Sequence, residues 1–271
     1  MFNIFLQTFL IVGIIVGLVK QKKEYLVLPF VAAVLSIMPV AIALCLQYCD
    51  VFYITLIGAL IIVWKWKEIR AERMYFLFLL LGMCTSYFDF LTYPFVSLGI
   101  PLVFFLAVME KRDFITRFLY TVVCSAAWCV GYLGMWAGKW ILGAILLPES
   151  EAMSEAIRAL TYRGSNQSTA GVVNVWDVLL KNLFVYLKWP TIIMFGALGM
   201  YLIYIIVKNK TLSGKRILEN ICYLLICLYP AAWYFISKNH SYEHTFMAYR
   251  ELVILAFSGL CMLAETGQKE T

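Results

Sequence analysis

The chain is organised as long apolar runs separated by short polar connections. These runs lie near residues 2–19, 25–48, 51–64, 74–91, 92–109, 114–136, 190–207, 217–236 and 251–264. Their apolar residues are continuous rather than alternating, which is typical of helices and not of the strands of a membrane barrel. A helix needs about 20 mostly apolar residues to cross a bilayer. The pattern predicts an all-α, polytopic transmembrane helix bundle of about eight or nine spans, with residues 1–271 forming a single integral membrane domain.

Two places in this pattern need interpretation. The fourth and fifth runs are joined at DFLTYP, where Pro94 favours a break or turn. We predict two spans over residues 74–109, and the alternative is one span followed by a re-entrant piece. The first run lacks a basic start and a small-residue cleavage site, so we expect a retained helix rather than a signal peptide.

Composition supports the membrane assignment. Hydrophobic residues make up 63% of the 271 residues and charged residues 14%, whereas soluble domains average roughly 45–50% and about 25%. The net charge of +6 arises from short cationic clusters between apolar runs, a distribution that membrane orientation explains without nucleic acid. The eight cysteines include no C-x-x-C pair and lie mostly within apolar runs, where we expect them to act as small hydrophobic residues.

The distribution of Lys and Arg predicts the orientation of the bundle. Of the 22 cations, fifteen lie in alternate connections, near residues 20–23, 65–73, 111–117 and 208–216 and in the tail, and seven lie in the others. Cytoplasmic loops carry the excess of cations. We therefore predict a multi-pass protein of a bacterial cell membrane, with its N-terminus outside and its C-terminus in the cytoplasm.

This orientation leaves two long polar segments on the outer face. Residues 137–189 contain PESEAMSEAIRAL and VWDVLLKNLFVYLKW, each with apolar residues at helical spacing on one side. They are predicted to be amphipathic helices in the membrane interface. RGSNQSTAG, between them, is predicted to be a flexible loop that acts either as a lid or as a connector. Residues 237–250 are predicted to form a polar outer loop.

Asp89 and Lys139 are candidate functional residues with opposite charges. Asp89 lies among apolar and aromatic residues in CTSYFDFLTYP, where a carboxylate is costly unless it is paired or hydrated. It is either a base that faces a cavity, with a raised pKa, or an acid that contacts water at the interface. Lys139, between Trp136 and Trp140, is either a phosphate ligand or an interfacial lysine among belt tryptophans.

The stretch WYFISKNHSYEHTFMAYRELVI, residues 233–254, concentrates the rarest polar residues of the chain. It contains both histidines, His240 and His244, at a spacing of four residues. H-x-x-x-H alone is weak evidence for zinc, and no third ligand is evident, so we predict no metal site and no cofactor. The candidate substrate ligands in this stretch, with Lys139, are Lys238, His240, Tyr242, His244, Tyr249 and Arg250. Aromatic rings stack on sugars, and Arg, Lys and His bind anions such as lipid phosphates.

Three segments resemble known membrane proteins. SYFDFLTYPFVSLGIPL, GYLGMWAGKWILG and YPAAWYFISKNHSYEHTFMAYR are similar to segments of uncharacterised polytopic membrane proteins of Gram-positive bacteria. Those proteins are distantly similar to the C-terminal part of C-type (GT-C) superfamily glycosyltransferases. The resemblance covers roughly residues 75–265. It implies a polyprenyl-phosphate-linked sugar donor on the outer membrane face and an acidic residue in the first large outer loop.

The chain departs from that pattern at its first outer connection. QYCDVFY holds only Asp50 there. We therefore expect either a shortened relative or the C-terminal, donor-binding half of a longer enzyme, with an upstream half or partner subunit.

These observations support one main function and two alternatives. The first is a GT-C-like glycosyltransferase, or its donor-binding half, in cell-envelope glycan assembly. Its partners would be membrane lipids and a polyprenyl-phosphate sugar, with Asp89 as the catalytic residue. The alternatives are a transporter or flippase for a lipid-linked or anionic substrate, and a non-catalytic membrane subunit. A transporter needs polar residues at mid-depth, and apart from Asp89 the apolar runs have few charges in their interiors.

Overall fold

The computed structural model describes residues 2–65, 73–109, 113–147, 151–168 and 171–269, and these are almost entirely helical. The first seven helices are α1 (Phe2–Lys20), α2 (Val27–Ser36), α3 (Pro39–Leu44), α4 (Leu46–Lys65), α5 (Met74–Phe88), α6 (Val96–Val108) and α7 (Phe114–Leu146). The remaining helices are α8 (Ala152–Gly164), α9 (Val175–Tyr186), α10 (Trp189–Asn209), α11 (Gly214–Cys227), α12 (Tyr229–Ile236), α13 (Lys238–Glu243), α14 (Thr245–Ala248) and α15 (Val253–Thr266). Two 3₁₀ turns, Glu24–Leu26 and Tyr249–Leu252, precede α2 and α15.

The predicted all-α membrane bundle is confirmed in its main features. Six helical segments of the described chain are long and apolar enough to cross a membrane: Phe2–Lys20, Leu46–Lys65, Phe114–Leu146, Trp189–Asn209, Gly214–Ile236 and Thr245–Thr266. Three more apolar helical segments are shorter: Glu24–Ser36, Met74–Phe88 and Val96–Val108. The bundle also exposes many large apolar side chains, a surface that suits lipid contact.

Helix α6 forms the centre of the bundle. Every residue from Val96 to Val108 is buried, because the helix is apolar all round and has no polar face to present to solvent. It packs against α4, α5, α7 and α15. The fourth and fifth apolar runs are thus two separate helices, joined by residues 89–95.

Two glycines allow α5 and α7 to approach closely. A Cβ atom on Gly82 would lie 2.1 Å from the carbonyl oxygen of Trp128, and one on Gly131 would lie 2.1 Å from that of Leu79. Small residues at helix contacts are a common packing device in membrane proteins. Helix α7 has 33 residues and extends well past this contact.

The connections are gathered at the two ends of the bundle. At one end the Arg117 guanidinium bonds the Leu106 carbonyl and the Glu265 carboxylate, and Asn209 bonds the Gly267 carbonyl; we call this the Arg117 end. At the opposite end the residue 89–95 turn meets α13 and Tyr48; we call this the Asp89 end. The cation-rich connections thus lie at the Arg117 end and the cation-poor connections at the Asp89 end, wherever the structure describes them. Lys67, Arg70, Lys111 and Arg112 lie outside the described residues.

Several predicted boundaries differ in the structure. The run at 25–48 is broken at Met38, which has a φ of 58°. Residues 237–250, predicted as a loop, are mostly helical and form α13, α14 and the start of the second 3₁₀ turn. In the predicted loop RGSNQSTAG, Gln167–Ser168 pairs with Gly171–Val172 in an antiparallel hairpin whose tip lies outside the described residues.

The two predicted amphipathic helices are present as helices. The first was predicted from residue 148, and residues 148–150 lie outside the described part of the chain. Helix α9 begins with a capping box between Asn174 and Asp177, which satisfies donors that a helix start leaves unpaired. Its Val178 face is buried against the protein, while Trp176 and Phe184 on the predicted apolar stripe are exposed.

Candidate functional site

The turn that connects α5 to α6 carries Asp89. Its carboxylate accepts hydrogen bonds from the backbone amide of Thr92 at 3.0 Å and from the Thr92 hydroxyl at 2.6 Å. An aspartate that bonds a residue a few positions later stabilises a local turn. The side chain is therefore fixed relative to its own backbone.

Two residues of the stretch after α12 hold the same turn. The His240 Nε2 atom lies 2.7 Å from the carbonyl oxygen of Leu91, and Glu251 Oε1 accepts from the backbone amide of Phe95 at 3.1 Å. The Tyr93 hydroxyl also donates to the Tyr48 carbonyl. Each contact is to main chain, so these residues fix where Asp89 stands.

Asp89 lines an open cleft of about 490 Å³ at the Asp89 end. The other principal side chains in its walls are Tyr132, Trp136, Lys139, Trp140 and Arg163. These come from the long helix α7 and from the last turn of α8. With Phe90, the cleft thus combines a carboxylate, two cations and four aromatic side chains, which suits a ligand with both sugar-like and anionic parts.

Lys139 has a structural role within the cleft. Its Nζ atom donates to the carbonyl oxygens of Ser86 at 2.7 Å and Tyr87 at 3.2 Å. These are among the last carbonyls of α5, which have no partner within their own helix, and a cation there also complements the helix dipole. The residue remains exposed, so its charge also acts on the cleft.

Arg163 is a cleft residue that sequence reasoning did not select. It is half-buried, and within the described part of the chain its guanidinium makes no hydrogen bond or ion pair. A partly enclosed guanidinium in this state is a ready ligand for phosphate or carboxylate. The only sequence signal was a cation near the end of a predicted amphipathic helix, which is also where a cation stabilises a helix dipole.

The aromatic walls are held by ring contacts along α7. Tyr132 stacks on Trp128 with ring centroids 4.9 Å apart, and Trp136 contacts Trp140 edge-on at 6.4 Å. These residues follow one another at the four-residue spacing that places side chains on one face of a helix. The aromatic side chains therefore lie along one face of α7 beside the cleft.

The titration of two groups at this end is displaced by burial. Desolvation raises the pKa of Asp89 to about 6, against the hydrogen bonds from Thr92, which lower the pKa. Desolvation lowers the pKa of His240 to about 4, partly offset by its bond to the Leu91 carbonyl. The His240 ring is therefore neutral near pH 7, with its proton on Nε2 when it donates to that carbonyl.

Arg250 lies outside the cleft. It is 3% exposed and donates to the carbonyl oxygens of Ile37 at 3.2 Å and Phe246 at 2.9 Å. Its guanidinium lies 4.7 Å from the ring centroid of Tyr48 and 4.8 Å from that of Tyr249. These contacts describe an anchor between helices.

The other residues predicted as ligands also make internal contacts away from the cleft. The Lys238 ammonium donates to the Asn166 side chain. The Tyr242 ring lies 3.7 Å from the Lys181 ammonium, and the His244 ring lies 4.6 Å from that of His240, tilted at 50° to it. Of the predicted site residues, the structure brings Asp89 and Lys139 into the cleft and leaves the others behind or beside it.

Comparison with known proteins adds no assignment to this geometry. No family model, curated protein or solved structure matches the chain. Within the described residues, no three His, Cys, Asp or Glu side chains converge in a way that would hold a metal ion.

Proposed function

We propose that the cleft binds the sugar-phosphate headgroup of a polyprenyl-phosphate-linked sugar. The protein would then be a GT-C-like glycosyltransferase, or its donor-binding half, acting at the outer face of a bacterial membrane. The observation that carries this proposal is the meeting of Asp89, Arg163 and Lys139 in one aromatic-walled cleft. The N-out, C-in orientation and the eight or nine spans predicted from the sequence are part of the proposal.

Each cleft residue has a separate role in the proposed transfer reaction. Arg163 and Lys139 neutralise the donor phosphate, and Trp136 and Trp140 pack against the sugar ring. Asp89, as a carboxylate, takes the proton of an acceptor hydroxyl. The hydroxyl oxygen then bonds to the anomeric carbon, and the bond from that carbon to the phosphate oxygen breaks. The polyprenyl phosphate departs with the electron pair.

The surroundings of the cleft suit a lipid-linked donor. On the side of Lys139 that faces the bilayer, helix α7 exposes the apolar side chains of Val130 and Leu133. A polyprenyl tail can lie on such a surface while its phosphate reaches the cations. No nucleotide is needed, because the lipid phosphate is itself the leaving group.

The placement of buried charge favours transfer over transport. A transporter requires ionisable or polar groups along a path at mid-depth. The buried charged residues in the described ranges lie near the two ends, with Arg250 and Glu251 near the Asp89 end and Arg117, Arg216 and Glu265 at the Arg117 end. A headgroup site at one end fits this distribution better than a path through the centre.

Two variants separate binding from transfer. Arg163→Gln is expected to weaken binding of polyprenyl monophosphate roughly ten- to a hundredfold, since a charged hydrogen bond contributes about 1.5–3 kcal/mol. Asp89→Asn keeps the acceptor oxygen for Thr92, so it should bind this lipid normally but abolish glycan synthesis. Affinity is measured by native mass spectrometry in detergent, and synthesis by complementation of a strain that lacks the gene.

Arg158→Gln is the matched control on the same helix. Arg158 is exposed and pairs with Glu155 at 2.9 Å, away from the cleft, so the variant should match the wild type in both assays. Unchanged affinity in Arg163→Gln, or full glycan synthesis with Asp89→Asn, would contradict the proposal.

A further inference from the structure

We propose that His240 and Glu251 are positioning residues for Asp89, holding its turn at both ends through the backbone. The inference rests on the proposed function, since it concerns how the base is placed. The polar stretch after α12 would then hold the turn that carries Asp89 in place, rather than bind the ligand. Neither side chain lines the cleft, but both bond the segment that carries Asp89.

The turn requires support from outside because its own conformation is unfavourable. Leu91 has a φ of 65°, in the left-handed region that residues with a Cβ atom rarely adopt. It is the Leu91 carbonyl that His240 contacts, at 2.7 Å. A donor placed there stabilises the peptide orientation that the left-handed residue creates.

Glu251 secures the other end of the turn. It is fully buried, and its Oε1 atom accepts the Phe95 amide at 3.1 Å. Phe95 caps the start of α6, where backbone N–H groups have no partner within the helix. Burial of an acid is costly, and within the described chain no cation pairs with this one. Its contact is therefore directed at the turn rather than at a salt bridge.

The contacts of His240 and Glu251 lie on either side, along the chain, of Thr92, which bonds the Asp89 carboxylate. Leu91 lies two residues after Asp89, Thr92 holds the carboxylate itself, and Phe95 ends the turn. Loss of either outer contact frees the backbone on which the carboxylate is built. A displacement of about 1 Å is enough to reduce a positioned reaction roughly a hundredfold.

Hydrogen–deuterium exchange of the purified protein in nanodiscs tests the contacts directly. His240→Phe and Glu251→Leu remove the donor and the acceptor, and we expect exchange in a peptide covering residues 89–97 to rise at least about tenfold. His240→Gln and Glu251→Gln keep a donor and an acceptor, and should restore protection. His240→Asn is a smaller change whose shorter side chain should also lose the contact, should His240→Phe fail to fold.

His244→Phe is the matched control. The His244 ring contacts that of His240, and within the described part of the chain its side chain makes no hydrogen bond to the turn, so the variant should leave exchange at residues 89–97 unchanged. The inference would be overturned if folded Glu251→Leu and a folded His240 variant, either His240→Phe or His240→Asn, showed wild-type exchange at residues 89–97. An equal rise in exchange in His244→Phe would also overturn it.

A second measurement separates positioning from binding. His240→Phe and Glu251→Leu should bind polyprenyl monophosphate within about threefold of the wild type but reduce glycan synthesis, with rescue by the Gln variants. If the wild type binds no polyprenyl monophosphate, the proposed function fails while the exchange data still decide whether the turn is held. If exchange changes but synthesis does not, the residues are structural and the positioning role is wrong.

Discussion

Asp89 balances two opposing influences on its charge. Burial disfavours the carboxylate, while the Thr92 amide and hydroxyl favour it, and the net effect raises the pKa to about 6. A base is most effective when its pKa lies near the working pH. With a pKa of about 6, Asp89 is mostly ionised at pH 7 yet is a stronger base than an exposed aspartate.

The same shift predicts how stability depends on pH. Because the folded pKa is raised from 3.8 to about 6, the folded state binds the proton more tightly than the unfolded state. The resulting stabilisation is complete below about pH 4 and is lost as the pH rises through 6. Asp89→Asn resembles the protonated form, so the wild type should lose melting temperature relative to this variant between pH 4 and 6. Scanning fluorimetry in detergent measures both proteins.

The comparison isolates Asp89 because His240 titrates in the same range in both proteins. A difference in melting temperature that stays constant from pH 4 to 7 would show that Asp89 has an ordinary pKa. Thr92→Val provides a second check. It removes the hydroxyl hydrogen bond that favours the carboxylate, so it should raise the pKa of Asp89 further. The pH range in which the melting temperature falls should then move upward.

At the scale of elements, the contact between α5 and α7 determines the shape of the cleft. Asp89 follows α5, whereas Lys139 and most of the aromatic wall belong to α7. Gly82 and Gly131 set the distance between these helices, since each lies against a backbone carbonyl that cannot move aside like a side chain.

Gly131→Ala is therefore expected to destabilise the protein. Its Cβ atom would lie 2.1 Å from the Leu79 carbonyl oxygen, and overpacking of this kind costs about 1–3 kcal/mol. The melting temperature should fall by roughly 5 °C, at about 2–4 °C per kcal/mol. Gly134→Ala is the control, because a Cβ atom there meets nothing within 4 Å. Equal melting temperatures for the two variants would contradict this packing.

The apolar pattern predicted most of the helices well, because the position and length of each continuous apolar run can be read directly from the sequence. The continuous apolar runs became α1, α4, α6, α7 and α10, with boundaries shifted by a few residues in most cases. The helices of residues 237–250 were missed because their polar composition resembles a loop. What stabilises them is tertiary contact, such as the bonds from Asn182 and Lys181 to the carbonyls of Ser241 and Tyr242.

The candidate site was less predictable because it depends on which faces meet. Asp89 and Lys139 stood out as charges among apolar residues, and both lie in the cleft. Arg250 stood out for the same reason but is an interhelical anchor. Arg163 and Glu251 gave no comparable signal, since their roles follow from the docking of α8 and of the second 3₁₀ turn. The sequence shows that a charged residue lies among apolar ones, but it does not show which residues that side chain will contact in the folded protein.

At the scale of the whole molecule, a buried network ties the bundle together at the Arg117 end. Arg117 donates to the Asn220 side chain at 2.8 Å and to Glu265 at 2.9 Å. The Tyr223 hydroxyl donates to the other Glu265 oxygen at 2.6 Å. The network joins α7, α11 and α15, and α7 also carries cleft residues at its other end.

Breaking this network should cost far more than breaking a surface pair. Arg117→Leu leaves Glu265 without its cation, and loss of one partner of a buried pair costs about 3–5 kcal/mol. We expect a fall of at least about 8 °C in melting temperature and partial recovery in the double variant Arg117→Leu/Glu265→Leu. Lys215→Gln is the control, because its 3.9 Å contact with Glu219 is exposed on the lysine side and contributes little. A fall of less than 2 °C in Arg117→Leu would argue against the network.

The 33 residues of α7 also set how far the cleft stands from the start of that helix. At 1.5 Å per residue the helix is about 50 Å long, and Lys139 stands about 38 Å from its first residue. The oily layer of a bilayer is only about 30 Å thick. An upright α7 that starts at one edge of this layer would raise its two tryptophans and its lysine just clear of the other edge. Under the proposed function, a long-tailed lipid would present its phosphate there to an acceptor in water, and shortening the helix by about two turns would place Lys139 within the acyl chains.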